Sequence, residues 1–185
     1  MRNFILGTVV TLAVLILGGI AFLLLGLMPT NADATPPSIE ESIAARALDA
    51  SMDRKAPRVN NPLTPTDDVL IEGMKIYTMN CSLCHGTLDM KPSPLKNSFY
   101  PPPPQLITDP MDDPEWHLFY AIRTGVRYTA MPAWGKTLSP EEMWKTTAFL
   151  SRIEKLPPAV QDYWKKAYGT VPEPGGAAGE KHEHN

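Results

Sequence analysis

The only two cysteines of the chain, Cys81 and Cys84, stand directly before His85 in the pattern Cys-x-x-Cys-His. Residues three apart lie on the same face of a helical turn, so both thiols can reach one planar ring system. Thioether bonds to two haem vinyl groups, with the following imidazole as proximal iron ligand, account for this pattern. The motif therefore predicts one covalently bound haem c.

Three other uses of a cysteine pair compete with haem attachment. A structural zinc site needs four ligands, usually from two separated pairs, and the chain has no second cysteine pair. His182 and His184 lie in a polar tail, for which we expect a solvated segment rather than a metal site. A thioredoxin-like pair needs a βαβ setting, whereas the flanks are helical and proline-rich. A plain disulfide in an oxidising compartment is the remaining alternative.

An uncharged apolar run extends from residue 4 to residue 28, after a single basic side chain, Arg2. As a helix it would be about 37 Å long, enough to cross a hydrocarbon core of about 30 Å. We therefore expect residues 1–30 to be a retained single-pass anchor in the cell inner membrane, with the C-terminal part periplasmic because the positive charge precedes the run. Cleavage after Ala34 is the alternative, because residues 32–34 have the small-x-small form of a signal-peptidase site.

The composition of the exported part limits the fold and the partners. Arg2 is one of 17 basic residues, which leaves 16 basic against 20 acidic residues, a net charge of −4. This charge is too small to indicate nucleic acid as a partner. The 20 prolines cluster in segments 30–66, 92–110 and 157–174, and no sustained two-residue alternation indicates strands. The chain is thus predicted to be all-α, with helices joined by proline-rich loops.

Capping signals and apolar spacing divide the chain further. Residues 31–66 are predicted to form a helix, from Ser38 to about Met52, and an extended linker arm. Residues 67–156 should form the haem domain. Residues 157–185 should form a short helix to residue 168 and a disordered tail.

Two helices are expected to build the core of the haem domain. The first runs from about Val69 to Asn80 into the haem motif. Gly73 within it indicates close approach by another helix, since glycine otherwise lowers helix stability by about 1 kcal/mol. The partner begins at Ser139-Pro140-Glu141-Glu142, a capping box with proline in its first turn. Phe149 or Leu150 should cross Gly73 and Tyr77.

A thioether is a suitable second axial ligand, because methionine raises the haem reduction potential relative to a second histidine. Met131 is the preferred candidate, because Pro132 and Gly135 keep its surroundings out of regular helix and in a loop. Met111, also in a loop, is possible. His117 is the rival ligand, although a helical histidine between aromatic residues is more often structural. Arg123 and Arg127 are candidates to pair with haem propionates.

Residues 69–156 resemble the class I c-type cytochromes, specifically the mono-haem, membrane-anchored bacterial kind. The pieces that carry the resemblance are Gly73, Tyr77, the haem motif with Gly86, Tyr100-Pro-Pro-Pro-Pro-Gln-Leu106, Trp116, Ile122-Arg-Thr-Gly125-Val-Arg, Thr129-Ala-Met131-Pro-Ala-Trp134-Gly135, Trp144, Phe149 and Leu150. The haem motif is highly specific and the Met-Pro-Ala-Trp-Gly stretch moderately so. Two departures concern loops: Ala130 stands where the family often has glycine, and LDMKPSPLKNS replaces the usual glycine-rich loop.

The resemblance implies an all-helical class I cytochrome c fold in which His85 and Met131 are the axial ligands. It also implies that a loop proline carbonyl, from Pro101 to Pro104, accepts a hydrogen bond from the His85 ring. With both axial positions filled, the expected function is a membrane-tethered electron carrier for redox protein partners of a respiratory chain, not an enzyme. The alternative is a haem c subunit of a membrane-bound dehydrogenase or terminal oxidase complex. A catalytic haem protein or gas sensor would need an open iron position. No oligomeric state is predicted.

Overall fold

The computed structural model describes residues 1–170, and the tail with His182 and His184 lies outside the described residues. The predicted all-α fold is confirmed, because the described residues contain no β-strand. The helices are α1 (Arg2–Leu24), α2 (Ser38–Lys55), α3 (Asp67–Asn80), α4 (Ser82–His85), α5 (Glu115–Thr124), α6 (Pro140–Leu150) and α7 (Pro158–Tyr168), with 3-10 turns at Trp134–Lys136 and Ile153–Lys155. The chain divides into two compact units, residues 1–31 and the residues from 32 onward.

The first unit is α1, a 23-residue apolar helix whose side chains are all exposed. Its mean hydropathy reaches 2.5, and within residues 1–170 it is the one helix long and apolar enough to cross a membrane. A signal sequence near an N-terminus has the same properties. Anchor and cleaved signal therefore both remain consistent with this helix.

The core of the second unit is the contact between α3 and α6, as the sequence predicted. A Cβ on Gly73 would overlap the carbonyl oxygen of Lys145 and lie 3.0 Å from the Cβ of Phe149. One turn further along α3, the rings of Tyr77 and Phe149 lie 5.9 Å apart, and both residues are fully buried. Only glycine lets the two backbones approach this closely, which explains its place inside a helix.

Side-chain caps fix where these two helices begin. The hydroxyl of Thr66 accepts a hydrogen bond from the backbone N–H of Val69, at 3.4 Å, and starts α3. The hydroxyl of Ser139 accepts one from the N–H of Glu142, whose carboxylate accepts in return from the N–H of Ser139 at 2.8 Å. The predicted capping box is therefore present. These caps satisfy N–H groups that have no partner within the helix.

The C-terminal helix α7 is part of the same core. Trp164 is fully buried, with its ring 5.7 Å from that of Phe149. Its indole N–H donates to the carbonyl oxygen of Leu88, at 2.7 Å, in the loop after the haem motif. The predicted short helix is thus confirmed, and it also holds that loop.

We predict that Gly73→Ala destabilises the protein although alanine favours helix. The gain in helix propensity is about 1 kcal/mol, whereas forcing apart two packed backbones costs about 1–3 kcal/mol or more. Thermal unfolding measures the difference. Met79→Ala, at a position 74% exposed on the same helix, is the control and should change stability by about 0.5 kcal/mol at most. Equal stability of Gly73→Ala and the wild type would contradict the close approach.

Candidate functional site

The haem motif forms a single turn at the end of α3. The N–H groups of Cys84 and His85 both donate to the carbonyl oxygen of Cys81, at 3.1 and 3.0 Å. Both cysteines are free thiols, Cys81 buried and Cys84 half-buried. Burial, and secondarily the neighbouring Cys84, raises the pKa of Cys81 to about 12. Two thiols and an imidazole are therefore gathered on one turn, as the spacing predicted.

The ring of His85 is held by the proline-rich loop. Its Nδ1 lies 2.9 Å from the carbonyl oxygen of Pro104, so the proline-carbonyl contact implied by the resemblance is confirmed. Burial lowers the pKa of His85, and the Pro104 carbonyl opposes that shift. A neutral ring that donates from Nδ1 leaves Nε2 free for a metal.

Tyr77 connects the core to this turn. Its hydroxyl lies 2.9 Å from the carbonyl oxygen of His85 and 2.8 Å from that of Gly86. Burial raises the pKa of Tyr77, so the hydroxyl stays protonated and donates to these carbonyls. The sequence placed Tyr77 in the core, but its contact with the proximal turn had no signal in the spacing.

Gln105 is a further residue of the site, and the sequence pattern alone assigns it no role. Its side chain is buried, and its Oε1 accepts from the N–H of Ser93 at 2.6 Å. Its Nε2 donates to the carbonyl oxygens of Cys84, at 3.1 Å, and Pro103, at 2.9 Å. A polar residue after four prolines is a usable signal, because a proline run offers carbonyls but no N–H groups.

The loop that carries Met131 is fixed against α5. The N–H of Val126 donates to the Met131 carbonyl at 3.2 Å, and the Met131 N–H donates to the hydroxyl of Thr129 at 3.1 Å. A Cβ on Gly125 would lie 2.7 Å from the Met131 carbonyl oxygen. The Met131 side chain is half-buried and packs against the hydrophobic core. Its role as iron ligand stays a prediction.

His117 is built into a different set of contacts. It is 6% exposed, and its Nδ1 lies 3.0 Å from the Asp113 carboxylate. Its Nε2 lies 3.4 Å from the Asp53 carboxylate of α2, without hydrogen-bond geometry. The residue thus lies between α5 and α2, as expected for a structural histidine.

The other predicted candidates lie at the surface. Met111 is 43% exposed. Arg123 and Arg127 are exposed as well, and the Arg127 guanidinium lies 5.8 Å from the ring of Tyr128. Their pairing with propionates stays a prediction.

The donor set of this site fits a covalently attached haem. Thioether formation needs two free thiols on one turn, and Cys81 and Cys84 are both free. Iron ligation uses a neutral imidazole with its other nitrogen hydrogen-bonded; the Pro104 carbonyl lies 2.9 Å from His85 Nδ1, and burial lowers the pKa of His85, which favours the neutral ring. A structural zinc site needs four ligands, and within residues 1–170 no three His, Cys, Asp or Glu side chains are placed so that they could together hold a metal ion.

Residues 69–150 match the family model described as cytochrome c oxidase, cbb3-type, subunit III. The matched segment begins in α3 and ends with α6, so it contains the haem motif, the proline-rich loop and the Met131 loop. Neither a search of curated proteins nor a search of solved structures found a match to the chain.

We predict that Gly125→Ala destabilises the protein more than Gly169→Ala. Both glycines have positive φ, +66° and +96°, but the Cβ would meet the Met131 loop at Gly125 and nothing within 4 Å at Gly169. The φ strain, about 1–2 kcal/mol, is common to both, and crowding adds about 1–3 kcal/mol only at Gly125. Denaturant unfolding of the two variants checks this difference. Equal losses would show that the loop moves freely from α5.

Proposed function

We infer, from the match of residues 69–150 to a c-type cytochrome family model, that the protein is a membrane-tethered electron carrier with one covalent haem. It is proposed to pass single electrons between redox proteins of a respiratory chain, on the periplasmic face of the inner membrane. The observation that carries this proposal is the turn with Cys81, Cys84 and His85, whose ring is oriented by Pro104.

The chemistry follows from what each side chain would hold. Bound haem supplies a one-electron ferric–ferrous couple. Cys81 and Cys84 tether it, and His85 provides the proximal nitrogen. Met131 is proposed to fill the remaining axial position, which leaves no open site for a substrate and favours electron transfer over catalysis.

The N-terminal helix is proposed to keep the carrier beside its membrane partners. Confinement by a tether raises the effective concentration of a partner held within reach, without any new contact. Arg2 before the apolar helix supports a cytoplasmic N-terminus and a periplasmic haem domain.

A haem c subunit of a membrane-bound oxidase or dehydrogenase complex is the second candidate. The matched family is described as an oxidase subunit, which favours this assignment. The haem site and its chemistry are the same in both cases. The two differ only in whether the partner is bound stably or transiently.

The covalent attachment is tested directly. We predict that haem remains with the polypeptide through denaturing electrophoresis and acid-acetone extraction, because thioether bonds survive both. Cys84→Ala should retain at most one thioether and mature poorly. Ser82→Ala, in the same turn, is the matched control and should mature normally. Complete loss of haem stain from the wild type would overturn the assignment.

The sixth ligand is tested by three substitutions. Met131→Ala should open the iron to carbon monoxide and abolish the weak sulfur-to-iron charge-transfer band. Met131→His should keep six-coordinate iron but lower its potential, because imidazole favours ferric iron more than a thioether does. His117→Ala should leave both spectrum and potential nearly unchanged. A low-spin spectrum lost in His117→Ala and kept in Met131→Ala would make His117 the ligand.

The tether and the partner are tested in membranes. We predict that the protein stays in the pellet after high salt and alkaline carbonate, since an intact apolar helix is not extracted by either. A mature N-terminus at Thr35 would instead identify a cleaved signal.

Gentle solubilisation separates the free carrier from the complex subunit, because only a stable subunit co-migrates with oxidase or dehydrogenase activity in fixed stoichiometry.

A further inference from the structure

We propose that Gln105 is a positioning residue, which holds the Pro104 carbonyl against the His85 ring and thereby lowers the reduction potential of the iron. This inference rests on the proposed function, since it concerns the ligand strength of His85. Gln105 is proposed to act through Pro104 and His85, without touching the cofactor itself.

The side chain of Gln105 joins three separate segments. Its Nε2 donates to Cys84 of the haem motif and to Pro103 of the proline run, at 3.1 and 2.9 Å. Its Oε1 accepts from the N–H of Ser93, at 2.6 Å, in the loop after the motif. The residue is 6% exposed, so these bonds form away from competing water. Both ends of the amide are therefore used.

The proline run needs such a residue. Four consecutive prolines, residues 101–104, have no backbone N–H groups and cannot form a hydrogen-bonded ladder of their own. The Pro104 carbonyl, which lies 2.9 Å from His85 Nδ1, is flanked by Pro103 and Gln105. Gln105 ties Pro103 back to the haem motif, and so fixes the carbonyl between them.

A second bond closes the same arrangement. The hydroxyl of Ser93 donates to the carbonyl oxygen of Leu83, inside the haem motif. Ser93 thus touches the motif through its own side chain and touches Gln105 through its backbone. The motif, the following loop and the proline run form one closed set of hydrogen bonds around the buried amide.

The expected effect on the iron follows from the His85 ring. An N–H group that donates to a well-placed carbonyl makes the opposite nitrogen a stronger metal ligand. A stronger imidazole donor favours ferric iron and lowers the potential. Releasing the Pro104 carbonyl should therefore raise the potential and expose the ring N–H to solvent exchange.

The experiment compares Gln105→Met with Gln161→Met in the full-length holoprotein. Methionine matches glutamine in length but makes none of these hydrogen bonds. Gln161 is half-buried in α7 and donates to the Leu156 carbonyl, remote in sequence from the motif. Redox titration gives the potential, and nuclear magnetic resonance of the reduced protein gives the exchange rate of the His85 Nδ1–H.

We expect Gln105→Met to raise the potential and to speed exchange of the ring N–H by about tenfold or more. Gln161→Met should match the wild type in both measurements. A Gln105→Met protein with normal covalent haem, wild-type potential and wild-type exchange would overturn this inference and leave the proposed function intact. Absence of covalent haem from the wild type would overturn the proposed function itself.

A second measurement, which needs no variant, tests the proposal if Gln105→Met does not mature. In the reduced wild-type protein, the side-chain amide protons of Gln105 should be protected from exchange, because both are donated to carbonyls. Those of Gln161, which makes one such bond, should exchange faster. Unprotected Gln105 amide protons would refute the positioning role without any variant.

Discussion

The close contact between α3 and α6 at Gly73 is the constraint on which the rest of the structure depends. Because no side chain separates the backbones there, Tyr77 and Phe149 meet in the core one turn later. The same helix then ends at Cys81, so the position of the haem motif follows directly from the packing of α3. Tyr77 adds a second restraint on the motif, because its hydroxyl donates from the core to the carbonyl oxygen of His85.

The chain between α4 and α5 has no regular structure longer than a turn, and its buried polar groups still need partners. Side chains supply them. The Gln105 amide donates to carbonyl oxygens of the proline run and of the haem motif. The Ser93 hydroxyl donates to the Leu83 carbonyl, and the Trp164 indole donates to the Leu88 carbonyl. A few side-chain hydrogen bonds thus take the place of backbone hydrogen bonds between segments. They explain how a proline-rich loop holds the Pro104 carbonyl beside the His85 ring.

The features that the sequence predicted correctly are those that depend on neighbouring residues. Capping at Ser139, the close approach at Gly73 and the turn of the haem motif all depend on residues within a few positions or on one unusual glycine. The distant partners of Gln105 and of Trp164 were not predictable, because they lie 12 to 76 residues away and no periodicity relates the segments. A lone polar residue after a proline run was the only available sign.

The hydrogen bonds that hold His85 are also relevant to the proposed electron transfer. A carrier works best when its ligand geometry is the same in both oxidation states, since preorganised groups need no rearrangement as charge changes. Here the ring of His85 is fixed through Pro104 and its backbone through Tyr77. The helix α7, which lies beyond the matched segment, adds a further restraint through Trp164. A gas sensor would need a ligand that leaves. The loop of Met131, the proposed second ligand, is held at the C-terminal end of α5 through Val126 and Gly125, so restraint on both proposed ligands favours the carrier.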